Sequence, residues 1–210
     1  MKLFLSSYNL GDEPNKLSEL AGSNRRVAVI PNALDHFGDT PRRLESEQKQ
    51  MDALRQLGLE PEILDLRSFF NNEGNLPSKL ETFGMTWILG GNAFVLRTAM
   101  KLSRFDELVV DYAKRSDKKD FVYAGFSAGV CVLQASLKGI EFVDDPDASN
   151  IAYNVPTLWT GLGILDYVFV PHFKSDHKES DATNIEVKYY LENGINFKTL
   201  RDGEVIISNT

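Results

Sequence analysis

One cysteine, three histidines and two tryptophans are all that 210 residues hold of the scarcer side chains. The lone Cys131 excludes an intramolecular disulfide framework and a zinc site of several thiolates, and it agrees with a reducing compartment. Positive charge is in deficit as well: 23 Lys and Arg stand against 30 Asp and Glu, a net −7 with a pI near 5.0. A field of that sign repels phosphate backbones and anionic lipid, so neither nucleic acid nor a membrane is an expected partner. Long apolar runs are missing too. The opening Met1-Lys2-Leu3-Phe4-Leu5-Ser6-Ser7 is too short for a leader core or a spanning helix, and a cytoplasmic protein is expected. Repeats, low-complexity tracts and Pro-rich or Ser-rich linkers are absent, which at this length predicts one domain over residues 1–210.

What remains is 42% hydrophobic and 25% charged, an ordinary globular composition. Short apolar runs alternate with amphipathic stretches, the pattern of an α/β domain with a mostly parallel sheet. Strands are predicted at Lys2–Ser6, Arg26–Pro31, Glu62–Asp65, Thr86–Leu89, Phe121–Ala124 and Tyr167–Val170. Thr40-Pro41 opens a helix that Gly58 closes, Ser103 to Asp106 has capping-box spacing ahead of Leu108, Val109 and Tyr112, and Asp181–Leu191 is the last helix. The tail, Asn196–Arg201 and Glu204–Ser208 around Asp202-Gly203, reads as a C-terminal β-hairpin with an Asp-Gly turn.

The most informative stretch is Phe121 to Leu133, where a buried-type strand runs into Gly125-Phe126-Ser127-Ala128-Gly129 and then into an apolar helix. A serine nucleophile needs that setting: a sharp strand-to-helix turn lifts the hydroxyl clear of the backbone, small neighbours avoid clashes, and a helix N-terminus aims N–H groups at a developing oxyanion. A glycine-flanked helix start with Ser127 as its N-cap is the bland alternative. A second pair, Gly90-Gly91-Asn92, follows the Thr86–Leu89 strand, where backbone N–H groups can approach a substrate closely. A base must come from three histidines. His172 ends a strand at Pro171-His172-Phe173, on the same sheet edge as Ser127, and is the better candidate; His177 is near enough to line the same cleft, and His36 in Asp35-His36-Phe37-Gly38 is expected to be solvated. For the acid the residues leave a choice: Asp144, Asp145, Asp147 and Asp166 fall between serine and histidine, and Asp202 falls after.

Taken in order, Gly90-Gly91-Asn92, Tyr123-x-Gly125-x-Ser127-Ala128-Gly129, Pro171-His172-Phe173 and Leu200-Arg201-Asp202-Gly203 resemble the motif series of the peptidase E (aspartyl dipeptidase) family of serine peptidases, which includes cyanophycinase-like enzymes. The resemblance spans nearly the whole chain. It implies a three-layer α/β sandwich like that of class I glutamine amidotransferases, with Ser127 as nucleophile, His172 as base, and Asp202 as orienting acid where the family usually has glutamate. It further implies Gly91 and Ala128 as oxyanion donors; Gly90, Asn92 and His177 are the further candidates for the substrate side, with a plain surface position the alternative for His177, and the mechanism needs no metal or organic cofactor. Where aspartyl dipeptidases carry a carboxylate-binding arginine this sequence has Ala182, and Lys174 and Lys178 are the only cations nearby in sequence, so little preference for N-terminal aspartate is expected. The leading expectation is a serine peptidase acting on small, dipeptide-like substrates through an acyl-enzyme. A non-catalytic relative that binds a ligand or partner in the same cleft, and an acyl hydrolase of another ester or amide, are the alternatives.

Overall fold

The computed structural model describes residues 1–72 and 74–210. In chain order its elements are β1 (Lys2–Ser6), α1 (Pro14–Leu20), β2 (Arg26–Ile30), α2 (Pro41–Gln56), β3 (Glu60–Ile63), α3 (Leu76–Leu80), β4 (Met85–Ile88), α4 (Ala93–Ser103), α5 (Phe105–Lys114), β5 (Val122–Phe126), α6 (Ala128–Cys131), α7 (Ala148–Tyr153), β6 (Val168–Val170), α8 (Ser180–Glu192), β7 (Phe197–Thr199) and β8 (Val205–Asn209). Six strands form one sheet in the order β3-β2-β4-β5-β1-β8, parallel throughout except for β8, which runs antiparallel to β1.

Side-chain alternation along the strands builds a core on each face of this sheet. Leu3, Leu5, Ala28, Ile30, Ile88 and Tyr123 pack on one side under Phe94, Leu96 and Met100 of α4 and Phe105, Val109 and Tyr112 of α5. The intervening Phe4, Val27, Val29, Met85, Trp87 and Ala124 pack on the other under Leu17 of α1 and Met51 and Leu54 of α2. With helices on both faces the three-layer α/β expectation holds. No helix among the described residues is long and apolar enough to cross a membrane.

Several local expectations shift. β3 begins two residues earlier and ends at Ile63, because its register with β2 starts at Arg26 against Glu60 and Asp65 accepts the N–H of Arg67 in a turn. Pro61 is tolerated there since β3 is an edge strand. The capping box at Ser103 does not form: Ser103 Oγ hydrogen-bonds back to Ala99 O at 2.8 Å, and Asp106 instead meets Arg97 in a buried ion pair at 3.0 Å.

The C-terminal hairpin is the larger correction. A tight turn does occur, with the Glu204 N–H donating to Arg201 O at 3.0 Å, but its two arms do not pair with each other. β7 pairs in parallel with β6, forming a separate two-stranded sheet, and β8 crosses to β1 of the main sheet. Positive φ falls on Gly203 (98°) and not on Asp202, which is the type II pattern. Such turns splay the flanking strands, whereas the Asp-Gly turns that close hairpins need positive φ at both central residues.

Candidate active site

β5 runs two residues further than expected and delivers Ser127 to the carboxyl edge of the sheet, where its N–H donates to Ser6 O at 3.2 Å. The chain then turns abruptly. Ser127 adopts φ 49°, ψ −120°, a sparsely populated conformation that costs on the order of 1–3 kcal/mol and persists only where its surroundings impose it. Ser127 O accepts the N–H groups of Val130 and Cys131 at 2.8 and 3.0 Å, and the buried Tyr123 hydroxyl donates to Gly129 O at 2.6 Å. Both flanking glycines are needed for a neighbour as well as for the turn: a Cβ on Gly129 would lie 2.5 Å from Ile88 O of β4, and one on Gly125 2.9 Å from it. The helix beyond, α6, is a single turn, so its dipole is slight and the useful group is the Ala128 N–H.

Opposite Ser127, Gly91 holds φ 145° with its α-carbon so close to Ala33 O that an added Cβ would lie 2.6 Å away. No acceptor among the described residues takes the N–H of Gly91 or of Ala128. Asn92 is committed elsewhere: its Oδ1 caps α4 by accepting from Phe94 and Val95, and its Nδ2 donates to Asp145 O at 2.8 Å. Asp144 completes this anchor by accepting the Ala93 N–H at 2.8 Å. Asn92 and Asp144 thereby fix the loop that carries Gly91.

His172 is only 2% exposed and sits at φ 59°. Its Nδ1 lies 2.7 Å from Asp202 Oδ1, so the proton resides on Nδ1 and Nε2 is left as an acceptor. Ser7, which the sequence reading missed, ties the pair together: its hydroxyl accepts the His172 N–H at 2.9 Å and donates to the same Asp202 Oδ1 at 3.0 Å. Asp144 and Asp145, the competing acids, lie instead beside the Gly91 loop. His177 stacks on His172 with ring centroids 3.7 Å apart and planes within 10°, and Tyr8 packs edge-on to both. Burial, reinforced by the neighbouring His177, holds the His172 pKa below 6.5, against the opposing pull of Asp202.

Ser127 and His172 open onto one cleft of about 550 Å³, shared with Tyr8, Gly91, Asp144 and Glu179. His36, expected in solvent, is half-buried in this wall with its Nδ1 enclosed and unpartnered among the described residues, and burial lowers its pKa. Two acids here titrate well above the usual carboxylate range: burial pushes Asp144, in the cleft wall, up to about 7 and the buried Glu186 up to about 8. Between its ordinary value of 4.5 and about 8, native Glu186 keeps a proton that the unfolded chain has released, so stability falls as pH rises through that window. Glu186→Gln keeps an acceptor for the Tyr190 hydroxyl, 2.7 Å away, and is expected to melt several degrees above the parent at pH 8 but close to it at pH 4.5. Equal melting at both pH values contradicts a buried neutral acid.

Among the described residues, His172, His177 and Asp202 form a trio with potential metal-ligand atoms within 4.8 Å of one another. Two of these partners are already joined by the 2.7 Å hydrogen bond, an arrangement suited to moving a proton.

The family model described as Peptidase family S51 matches residues 6–209. An uncharacterized peptidase of Listeria monocytogenes is 26% identical over 137 residues, which cover 65% of this chain and 62% of that relative's length. Among solved structures, a protein described as a peptidase E from Listeria monocytogenes superposes with TM-score 0.68 at 23% identity, covering 100% of this chain and 98% of that one. A peptidase from an acI-B1 Actinobacterium gives TM-score 0.66 at 15% identity, over 99% and 83%. With a family match running almost from end to end on a sheet that sets Ser127 and His172 at one cleft, the chain belongs to peptidase family S51.

Proposed function

We propose that the protein is a serine-type peptidase of short peptides. The carrying observation is the strained Ser127 turn at the end of β5, sharing a cleft with a histidine whose Nδ1 is held by Asp202, which leaves Nε2 to accept a proton. Ser127 Oγ attacks the scissile carbonyl carbon and its proton passes to His172 Nε2. The carbonyl oxygen gathers negative charge, for which the Gly91 and Ala128 N–H groups are the available donors. As the tetrahedral intermediate collapses, the C–N bond breaks and the leaving amine takes the proton from Nε2. Water then repeats the sequence on the acyl-enzyme and releases the second product. Asp202 holds the imidazole in the productive tautomer and stabilises the imidazolium.

The test is covalent labelling with a fluorophosphonate, followed by peptide mapping. Modification at Ser127, abolished by prior heat denaturation, supports an activated serine; an unlabelled native protein overturns it and leaves a binding protein on the same scaffold. The low pKa of His172 also sets the pH dependence. The base must be neutral, so kcat/KM is expected to rise with pH and reach half its plateau below pH 6.5. A half-maximal point above 7 in the rate profile contradicts His172 as that base.

A further inference from the structure

Charge in the cleft is sorted by wall. One wall is a face of α2, with Arg42, Ser46, Lys49 and Gln50 at spacings i, i+4, i+7 and i+8; the other carries Asp145 and Glu179, beside Asp144 with its raised pKa. The cations foreseen from sequence contribute little here: Lys174 does not line the cleft, and Lys178 is paired with Glu179 at 3.4 Å. On α2 the neighbouring Arg43 is buried and spent on Asp35 and Glu47. Arg42 and Lys49 have no carboxylate within ion-pair distance among the described residues, and Arg42 rests over the Phe37 ring, 5.3 Å from its centroid. Two uncommitted cations thus face the reaction space of a chain whose net charge is −7.

Which end of a substrate they meet follows from the base. The leaving amine takes its proton from His172 Nε2 and so departs on the His172 side. Tyr8 packs on His172 at 5.7 Å, and Asn9, the next residue, accepts from Gln50 Nε2 at 2.7 Å. Gln50 is locked in turn by Trp87 Nε1 at 3.1 Å, and Lys49 shares a neighbouring groove with Tyr8 and Asn9. A chain of contacts from the buried His172 through the solvent-facing Tyr8 and half-buried Asn9 to the buried Gln50 therefore leads from the base to the cationic face of α2.

We propose that Arg42 and Lys49 bind the free C-terminal carboxylate of the leaving residue, which makes the substrates short peptides cleaved next to an unblocked C-terminus. This rests on the peptidase reading above. A blocked or longer peptide presents a neutral amide where the carboxylate belongs, and loses a charge-assisted contact. Because both cations are solvent-facing, the preference weakens as salt screens it.

The experiment is a panel of twenty Xaa-Ala dipeptides matched with their C-terminal amides, read as released alanine or alaninamide, alongside fluorophosphonate labelling of Ser127. For each Xaa that is cleaved, the free acid is expected to exceed the amide by about 10- to 100-fold in kcat/KM, the range of one or two charge-assisted hydrogen bonds. In the Arg42→Ala/Lys49→Ala double variant the gap is expected to close through loss on the acids, with the amides as internal reference. Amides cleaved as well as acids, or a gap that survives the double substitution, overturn the proposal. If Ser127 labels but no dipeptide is cleaved, the carboxylate subsite is overturned and the activated serine stands; if Ser127 does not label, the peptidase reading itself fails.

Discussion

Replacing Ser127 with alanine is expected to abolish fluorophosphonate labelling and to lower peptide hydrolysis by about 10³ to 10⁶, the range seen when a working nucleophile is removed. Stability should barely change. The Ser127 hydroxyl donates to no partner among the described residues, and alanine keeps the same Cβ in the same turn, so the substitution removes chemistry without opening a cavity or orphaning a polar group. Ser127→Gly separates strain from chemistry: it should be equally inactive yet melt higher, because glycine accepts φ 49° without the Cβ penalty. Substantial hydrolysis by Ser127→Ala, measured against the same peptides, refutes the nucleophile.

The legible parts of this molecule are those governed by local periodicity and by single motifs. Leu3, Leu5, Val27, Val29, Trp87 and Tyr123 alternate between two cores as period 2 demands, so strand positions and the α/β layering followed from sequence. The Gly125 to Gly129 turn was visible because strand, small residues and serine occur together. Long-range pairing was not visible. Asp202-Gly203 carries hairpin chemistry, yet positive φ falls on Gly203 alone, and the two arms go to different partners, β7 to β6 and β8 to β1 at the edge of the main sheet, pairings no local pattern records. Ser7 carried no motif: its importance comes from lying just past the end of β1, where the His172 backbone and Asp202 converge 165 and 195 residues later in the chain. Arg42 and Lys49 were likewise out of reach, being 85 and 78 residues before Ser127 and brought to the cleft by the packing of α2 on the sheet. His36 was misjudged because a polar tetrapeptide looks solvated until a neighbouring wall encloses it.

Asp202→Asn should cost about 10² to 10⁴ in kcat while leaving the melting temperature nearly unchanged. The carboxylate now accepts from His172 Nδ1 at 2.7 Å and from Ser7 Oγ at 3.0 Å, both on Oδ1. Asparagine can meet the same two groups, but each way has a kinetic penalty. With its amide nitrogen toward His172, the imidazole must carry its proton on Nε2, and the base is lost. With its oxygen toward His172 the tautomer survives, but a neutral amide no longer stabilises the imidazolium, so the base pKa drops further and the acidic limb of the rate profile moves to lower pH. The turn itself tolerates asparagine at this position, and Ser7 can redirect its proton to Leu200 O, 3.4 Å away, so folding has little to lose. Ser7→Ala has the opposite signature. It strips the buried His172 N–H of its acceptor, at a cost of about 1–3 kcal/mol in stability, while leaving the 2.7 Å contact between ring and carboxylate in place. Kinetic loss without melting loss in Asp202→Asn, beside melting loss with a smaller kinetic effect in Ser7→Ala, identifies Asp202 as the acid that serves the base. Near-normal turnover in Asp202→Asn reduces it to a turn residue, and the stabilisation of the imidazolium then has to come from Glu179, whose Oε2 lies 3.9 Å from His172 Nε2.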